Sequence, residues 1–140
     1  MAVSVVGVIL RYLSAAVLAL TLAAGGRPGG GAIDLAPFEA LARKADCANS
    51  SNRLYVIDGQ MVYWDRTGFC GDNAYAYTLF GTTPDRVLCS RQDSIIGPRG
   101  TCQEAVRPLF ETIVQHRGET DLGLGASHTV RLAFTGPGPR

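Results

Sequence analysis

Apolar residues recur at spacings of three and four from Phe38 through Leu41 and Ala42 to Ala45, so residues 34–46 predict an amphipathic helix that packs by one face. Asp34 can cap its first turn, and Pro37 suits a position just inside it. Residues 47–52, CANSSN, read as loop, and Asn49-Ser50-Ser51 within it is a formal glycosylation sequon better read as a polar turn. The period then changes. Residues 53–65, RLYVIDGQMVYWD, hold two β-rich runs around Asp58-Gly59, a pair that tolerates the positive φ of a tight hairpin turn. Pairing Ile57 with Gln60 puts Tyr55 opposite Val62. Tyr55 and Ile57 alternate with Leu54 and Val56, and Met61 and Tyr63 with Val62 and Trp64, so both faces are largely apolar. The hairpin is therefore expected at the centre of a sheet.

The stretch GFCGDNAYAYTLFG, residues 68–81, is the densest in potential chemistry. As a strand it sets Tyr75, Tyr77 and Leu79 on one face, with Ala74, Ala76, Thr78 and Phe80 on the other. Its aromatic and Thr content favours β over a helix capped by Asp72 or Asn73. GTTPD then leads to a strand over 86–92, and DSIIGPRG reads as loop. Residues 101–118 predict the strongest helix. Thr101 and Glu104 fit a capping box, Val106, Leu109, Phe110, Ile113 and Val114 form one stripe, and Pro108 should kink the helix or restart it near Arg107. HTVRLAF, 128–134, predicts a last strand, and residues 135–140 a disordered tail. The expected fold class is α+β: one small domain over 34–134, with an antiparallel sheet of four to five strands, two helices and two disulfides.

The first 26 residues carry one charge, Arg11, followed by an apolar run from Tyr12 to about Leu22 and then Ala23, Ala24, Gly25 and Gly26. This reads as a signal peptide with a small-residue cleavage site. The competing reading, an N-terminal membrane segment, places Arg11 near mid-membrane at roughly 2.5–3.5 kcal/mol. Residues 27–33 read as a flexible junction. The chain has 13 Lys+Arg and 12 Asp+Glu. Without Arg11 the remaining twelve bases balance the twelve acids, so no basic field gathers nucleic acid. Lys44 is the only lysine and falls on the exposed side of the first helix, which leaves little room for Schiff-base chemistry.

Cys47, Cys70, Cys89 and Cys102 all follow the leader, with no C-x-x-C among them. An even count behind a signal peptide favours disulfides in an oxidising compartment over a metal site. If 74–80 and 86–92 pair, Phe80 faces Arg86 and Tyr77 faces Cys89. Cys70 then lies about 23 Å away at roughly 3.3 Å per extended residue, too far for a disulfide to Cys89. Of the two remaining patterns, Cys47–Cys70 with Cys89–Cys102 closes the shorter loops and is expected.

Candidate chemistry is thin. Cys102 at a helix start would gain nucleophilicity from the dipole, but His116 lies roughly 21 Å along the same helix at about 1.5 Å per residue, and a half-cystine is the simpler role. His116, His128 and the scattered aspartates form no metal-binding pattern, and no cofactor is expected. Asp65, Asp72 and Asp93 could converge as glycosidase carboxylates only through the fold. GLGAS, 123–127, lacks the P-loop lysine, and G-x-S-x-G is absent. Tyr55, Tyr63, Trp64, Tyr75 and Tyr77 could form an aromatic binding surface, although packing explains them as well. The expected function is a secreted or periplasmic, non-enzymatic domain that binds a protein or cell-envelope component. The rivals are a small secreted hydrolase with an Asp/His site and a membrane-anchored accessory protein that keeps residues 1–26.

Overall fold

The computed structural model describes residues 31–45, 48–70, 73–117 and 121–137. The expected leader, most of the junction, Cys47 and Asp72 lie outside them. No helix among the described residues is long and apolar enough to cross a membrane.

The protein is a small α+β domain. Helix α1 (Ala36–Arg43) is followed by strands β1 (Ala48–Ile57), β2 (Met61–Cys70), β3 (Asn73–Phe80), β4 (Val87–Ser94) and β5 (Gly97–Cys102). A 3-10 turn, Glu104–Val106, leads into helix α2 (Arg107–Gln115), and β6 (Val130–Pro137) ends the domain. The strands form a six-stranded sheet in the order β5-β4-β3-β2-β1-β6, every adjacent pair antiparallel. Five consecutive strands thus form a meander, and β6 returns to cover the free edge of β1. The β1–β2 hairpin lies inside the sheet, where two apolar faces are buried.

One helix packs on each face. Phe110, Ile113 and Val114 of α2 close over Tyr55, Ile57, Tyr63, Tyr77 and Leu79. Phe38 and Ala42 of α1 close over Leu54, Val62 and Phe80 on the opposite face. The alternation within the hairpin sorts these two sets, because neighbouring residues of a strand point to opposite faces.

Several details depart from the sequence expectation. The sheet has six strands instead of four or five. Strand β1 starts at Ala48, so residues 48–52 of the supposed loop lie in the sheet, with Ser50 and Asn52 buried. The hairpin register is shifted by one: Ile57 pairs with Met61, and Tyr55 with Tyr63. Asp58 and Gly59 do adopt positive φ, 53° and 66°, but Gln60 belongs to the turn as well. That extra residue brings the Tyr55 and Tyr63 rings together at 6.0 Å under α2, which keeps each apolar set on one face.

Between β3 and β4 the ladder is irregular, so Phe80 pairs with Val87, Leu79 with Cys89 and Tyr77 with Arg91. This replaces the expected Phe80–Arg86 and Tyr77–Cys89 pairs and turns Cys89 into the core. Residues 97–102 form strand β5, where loop and helix start were expected. Thr101 therefore caps no helix. Its hydroxyl lies 3.5 Å from that of Ser90 across the ladder. Pro108 restarts the helix, with α2 beginning at Arg107. Thr135, Gly136 and Pro137 are sheet residues paired with Arg53, Asn52 and Ser51, where a disordered tail was expected.

Candidate functional site

A sheet of six strands is about 24 Å wide at roughly 4.8 Å per step, whereas an eight-residue helix such as α1 is about 12 Å long. The helix covers the β6–β1–β2 side of its face and leaves the side toward β5 open. There the face is built from Trp64 and Arg66 on β2, Ala76 and Thr78 on β3, Ser90 and Gln92 on β4, and Arg99 on β5. Register sets Arg66, Ala76, Gln92 and Arg99 in one row, and Trp64, Thr78, Ser90 and Thr101 in the next. Ala76, Thr78 and Ser90 in the middle, against larger side chains at the rims, leave a trough of about 360 Å³.

The trough is basic. No acidic residue lines it, while Arg66 and Arg99 do, together with Arg91. Arg91 is already engaged, since its Nε donates to Asp93 Oδ1 at 2.8 Å and its Nη1 to Glu111 Oε2 at 3.2 Å. Arg66 is not. Its guanidinium carbon lies 5.1 Å from the Trp64 ring centroid, and its buried Nε finds no hydrogen-bond partner among the described residues. Burial holds the Arg66 guanidinium below its ordinary pKa, because desolvation disfavours the charged form. Trp64 is itself fixed: its Nε1 donates to Asn52 Oδ1 at 2.9 Å, and its ring stacks on Phe80. An arginine is thus held in place with part of its hydrogen-bonding capacity unused.

The other face carries a second polar group. Asp65, 2% exposed, faces Arg53 on one side and Tyr77 on the other. Arg117 lies over the Tyr75 ring at 5.2 Å and 3.6 Å from Asp93 Oδ2. Burial raises the hydroxyl pKa of Tyr63 and Tyr77, while the Arg117 charge partly offsets the effect at Tyr77. The Tyr77 hydroxyl faces Arg117 without a well-formed hydrogen bond. Both carboxylate oxygens of Asp93 are committed to arginines, which is how a structural ion-pair network is built.

The five aromatics do not assemble as one surface. Tyr55, Tyr63 and Tyr77 are core residues, Tyr75 is 39% exposed on the same face, and Trp64 lies on the opposite one. Cys89 and Cys102 form a disulfide between directly paired residues of β4 and β5. It ties strand to strand, where a tie from sheet to helix was expected, and Cys102 is no helix-start nucleophile. Cys70 ends β2, and the expected Cys47–Cys70 bridge involves Cys47, which lies outside the described residues.

His128 Nδ1 does reach a carboxylate, Asp58 Oδ2, at 2.8 Å, but neither residue lines a described pocket. His116 bonds the Thr112 carbonyl oxygen through Nδ1 at 2.9 Å. Its ring packs on Gly123, where φ is 65° and a β-carbon would collide with the imidazole. The GLGAS segment is thus a turn that lets Leu122 enter the core. Among the described residues no group of three His, Cys, Asp or Glu side chains could hold a metal ion.

The trough residues Arg66, Gln92 and Arg99 escaped sequence reasoning because they come from three strands. The sequence signal was the i, i+2 spacing of Trp64 and Arg66, which places a cation beside an aromatic on one strand face. Compared with known proteins, the chain matches no family model, no curated protein and no solved structure.

Proposed function

We propose that the chain is an exported, non-catalytic domain that binds a protein or cell-envelope component on the open half of its sheet. The observation that carries this reading is the trough itself: a concave surface with no acidic residue and a held arginine. A fold selected only for stability gains nothing from a half-buried guanidinium without an anionic partner. The hydrolase reading needs an Asp–His pair in a cleft. Asp58–His128 joins a hairpin turn to a loop instead. Export, with a second disulfide between Cys47 and Cys70, is carried by the leader and by the even cysteine count.

A photocrosslinking residue at Ser90 tests the binding surface in the native host. Envelope adducts at Ser90, absent from a control at Glu104 on the 3-10 turn, are expected. A silent Ser90 would remove the reading. Mass analysis of the mature chain tests export separately: a protein beginning at Met1 would turn residues 1–26 into an anchor.

A further inference from the structure

We propose that the trough is a subsite for a carboxylate-bearing polysaccharide, with Arg66 as its primary contact and Arg99 as the second. The inference rests on the binding reading above and names its ligand chemistry. Arg66 and Arg99 share one cross-strand row, three strand steps apart, or about 14 Å at roughly 4.8 Å per step. Trp64 precedes Arg66 by two residues on the same face and holds its guanidinium against the indole. Arg66 therefore lies along its own strand and does not swing across the trough toward Arg99. With the two cations rooted that far apart, the pair suits an extended ligand that is negatively charged at more than one place.

The floor selects the rest of the ligand. Ala76 and Gln92 stand between the arginines in their row, and the adjacent row presents the hydroxyls of Thr78 and Ser90. Strands β3 and β4 are hydrogen-bonded on both sides, so the floor offers no free backbone to a peptide strand. Ring hydroxyls can meet the Thr and Ser side chains while carboxylates pair with guanidinium forks, a geometry that arginine supplies and lysine does not. Arg99 is exposed and makes no ion pair with the described residues. Arg66 is pre-ordered, so binding there loses little side-chain entropy.

Calorimetric titration of the protein, purified as its host processes it, tests the inference with three probes: oligogalacturonate, the neutral maltohexaose and poly-L-glutamate. The expected result is binding of oligogalacturonate that weakens with salt, at least tenfold preferred over poly-L-glutamate, with no binding of maltohexaose. Arg66→Gln and Arg99→Gln should each weaken it about tenfold or more, and Arg66→Lys should not restore it. Arg99→Gln alters an exposed side chain, so its result stands even if Arg66→Gln fails to fold. Equal or tighter binding of poly-L-glutamate would overturn the sugar assignment while leaving the trough a binding surface. Oligogalacturonate binding unchanged in both glutamine variants, or no binding at all, would overturn the inference. The Ser90 crosslinks decide the broader reading independently.

Discussion

His128 Nδ1 lies 2.8 Å from Asp58 Oδ2, and Asp58 Oδ1 accepts the Thr129 backbone N–H at 2.8 Å. The Asp58 N–H in turn donates to the Thr129 carbonyl oxygen at 2.8 Å. Three hydrogen bonds therefore clasp the β1–β2 turn to the segment that enters β6, seventy residues later in the chain. The pair resembles two-thirds of a hydrolytic triad in its contact distance, yet its surroundings make it a latch. Strand β6 covers the edge of β1, and the latch sets where that strand begins.

Asp58→Asn tests the latch without disturbing the turn, because Asn tolerates positive φ and can still accept from Thr129. At a part-exposed site the lost charge contributes about 0.5–1 kcal/mol, a fall in Tm of roughly 2–6 °C. The hydrogen bond from His128 is the main cause that holds the Asp58 carboxyl below its ordinary value, followed by the Thr129 N–H. A depressed folded pKa contributes stability that is fully present above the unfolded value, near 3.8. That stability is lost as the pH falls through the folded value. The difference between the two proteins should therefore hold from pH 5 to 7 and shrink below about pH 4. Thermal melts across that range check it, and a difference that grows on acidification would refute the assignment.

Gly59→Val addresses the same turn through the backbone. At φ 66° a β-branched residue sits in the left-handed region at a cost of about 1–2 kcal/mol. A β-carbon there meets no atom within 4 Å, so conformation alone is tested. A clear drop in Tm is expected, and an unchanged melting curve would show that the turn relaxes to another type.

The hairpin was legible because both of its signals are local: alternating apolar residues and an Asp-Gly pair. Its register was not, since whether Gln60 joins the strand or the turn depends on α2 collecting Tyr55 and Tyr63. Strand β5 was hidden for a different reason. Gly97-Pro98-Arg99-Gly100 has the composition of a loop, but on the edge of a sheet a proline loses only an N–H that would face solvent. Reading it as loop also freed Thr101 and Glu104 to look like a capping box. The trough suffered most, because its floor and rims come from β2, β3, β4 and β5, and no window of the chain contains them all. Once the register is known, alternation alone places Trp64, Arg66, Thr78, Ser90 and Arg99 on one face.

Gly100 shows why β5 can hold its place. It pairs with Arg91, and a β-carbon on it would meet the Ser90 carbonyl oxygen and the Arg91 Cα. Both are backbone atoms, so no rotamer change relieves the clash. Gly100→Ala should force β5 away from β4 and cost about 1–3 kcal/mol. It should also open the β5 side of the trough. Hydrogen exchange should then rise across 97–102 before it rises in β2 and β3, and uniform protection in the variant would contradict this role.

The last prediction concerns the cysteines. Cys89 and Cys102 are bonded across paired strands, with Cα atoms 4.0 Å apart. At the other end of the sheet Ala48, which follows Cys47 in the chain, pairs with Phe69, which precedes Cys70. Cys47 and Cys70 are thus the chain neighbours of two directly paired residues, and a disulfide requires Cα atoms within about 7 Å. Peptide mapping of the unreduced protein should therefore yield Cys47–Cys70 and Cys89–Cys102 fragments and no others. On the chain-entropy account each bridge contributes about 3 kcal/mol. Replacing Cys47 and Cys70 together by Ser should then lower Tm by roughly 10 °C or more in a domain of this size. Free thiols at Cys47 and Cys70 in the protein purified from its host would leave Cys89–Cys102 as the one staple, and the stability of β1 and β2 would then rest on packing alone.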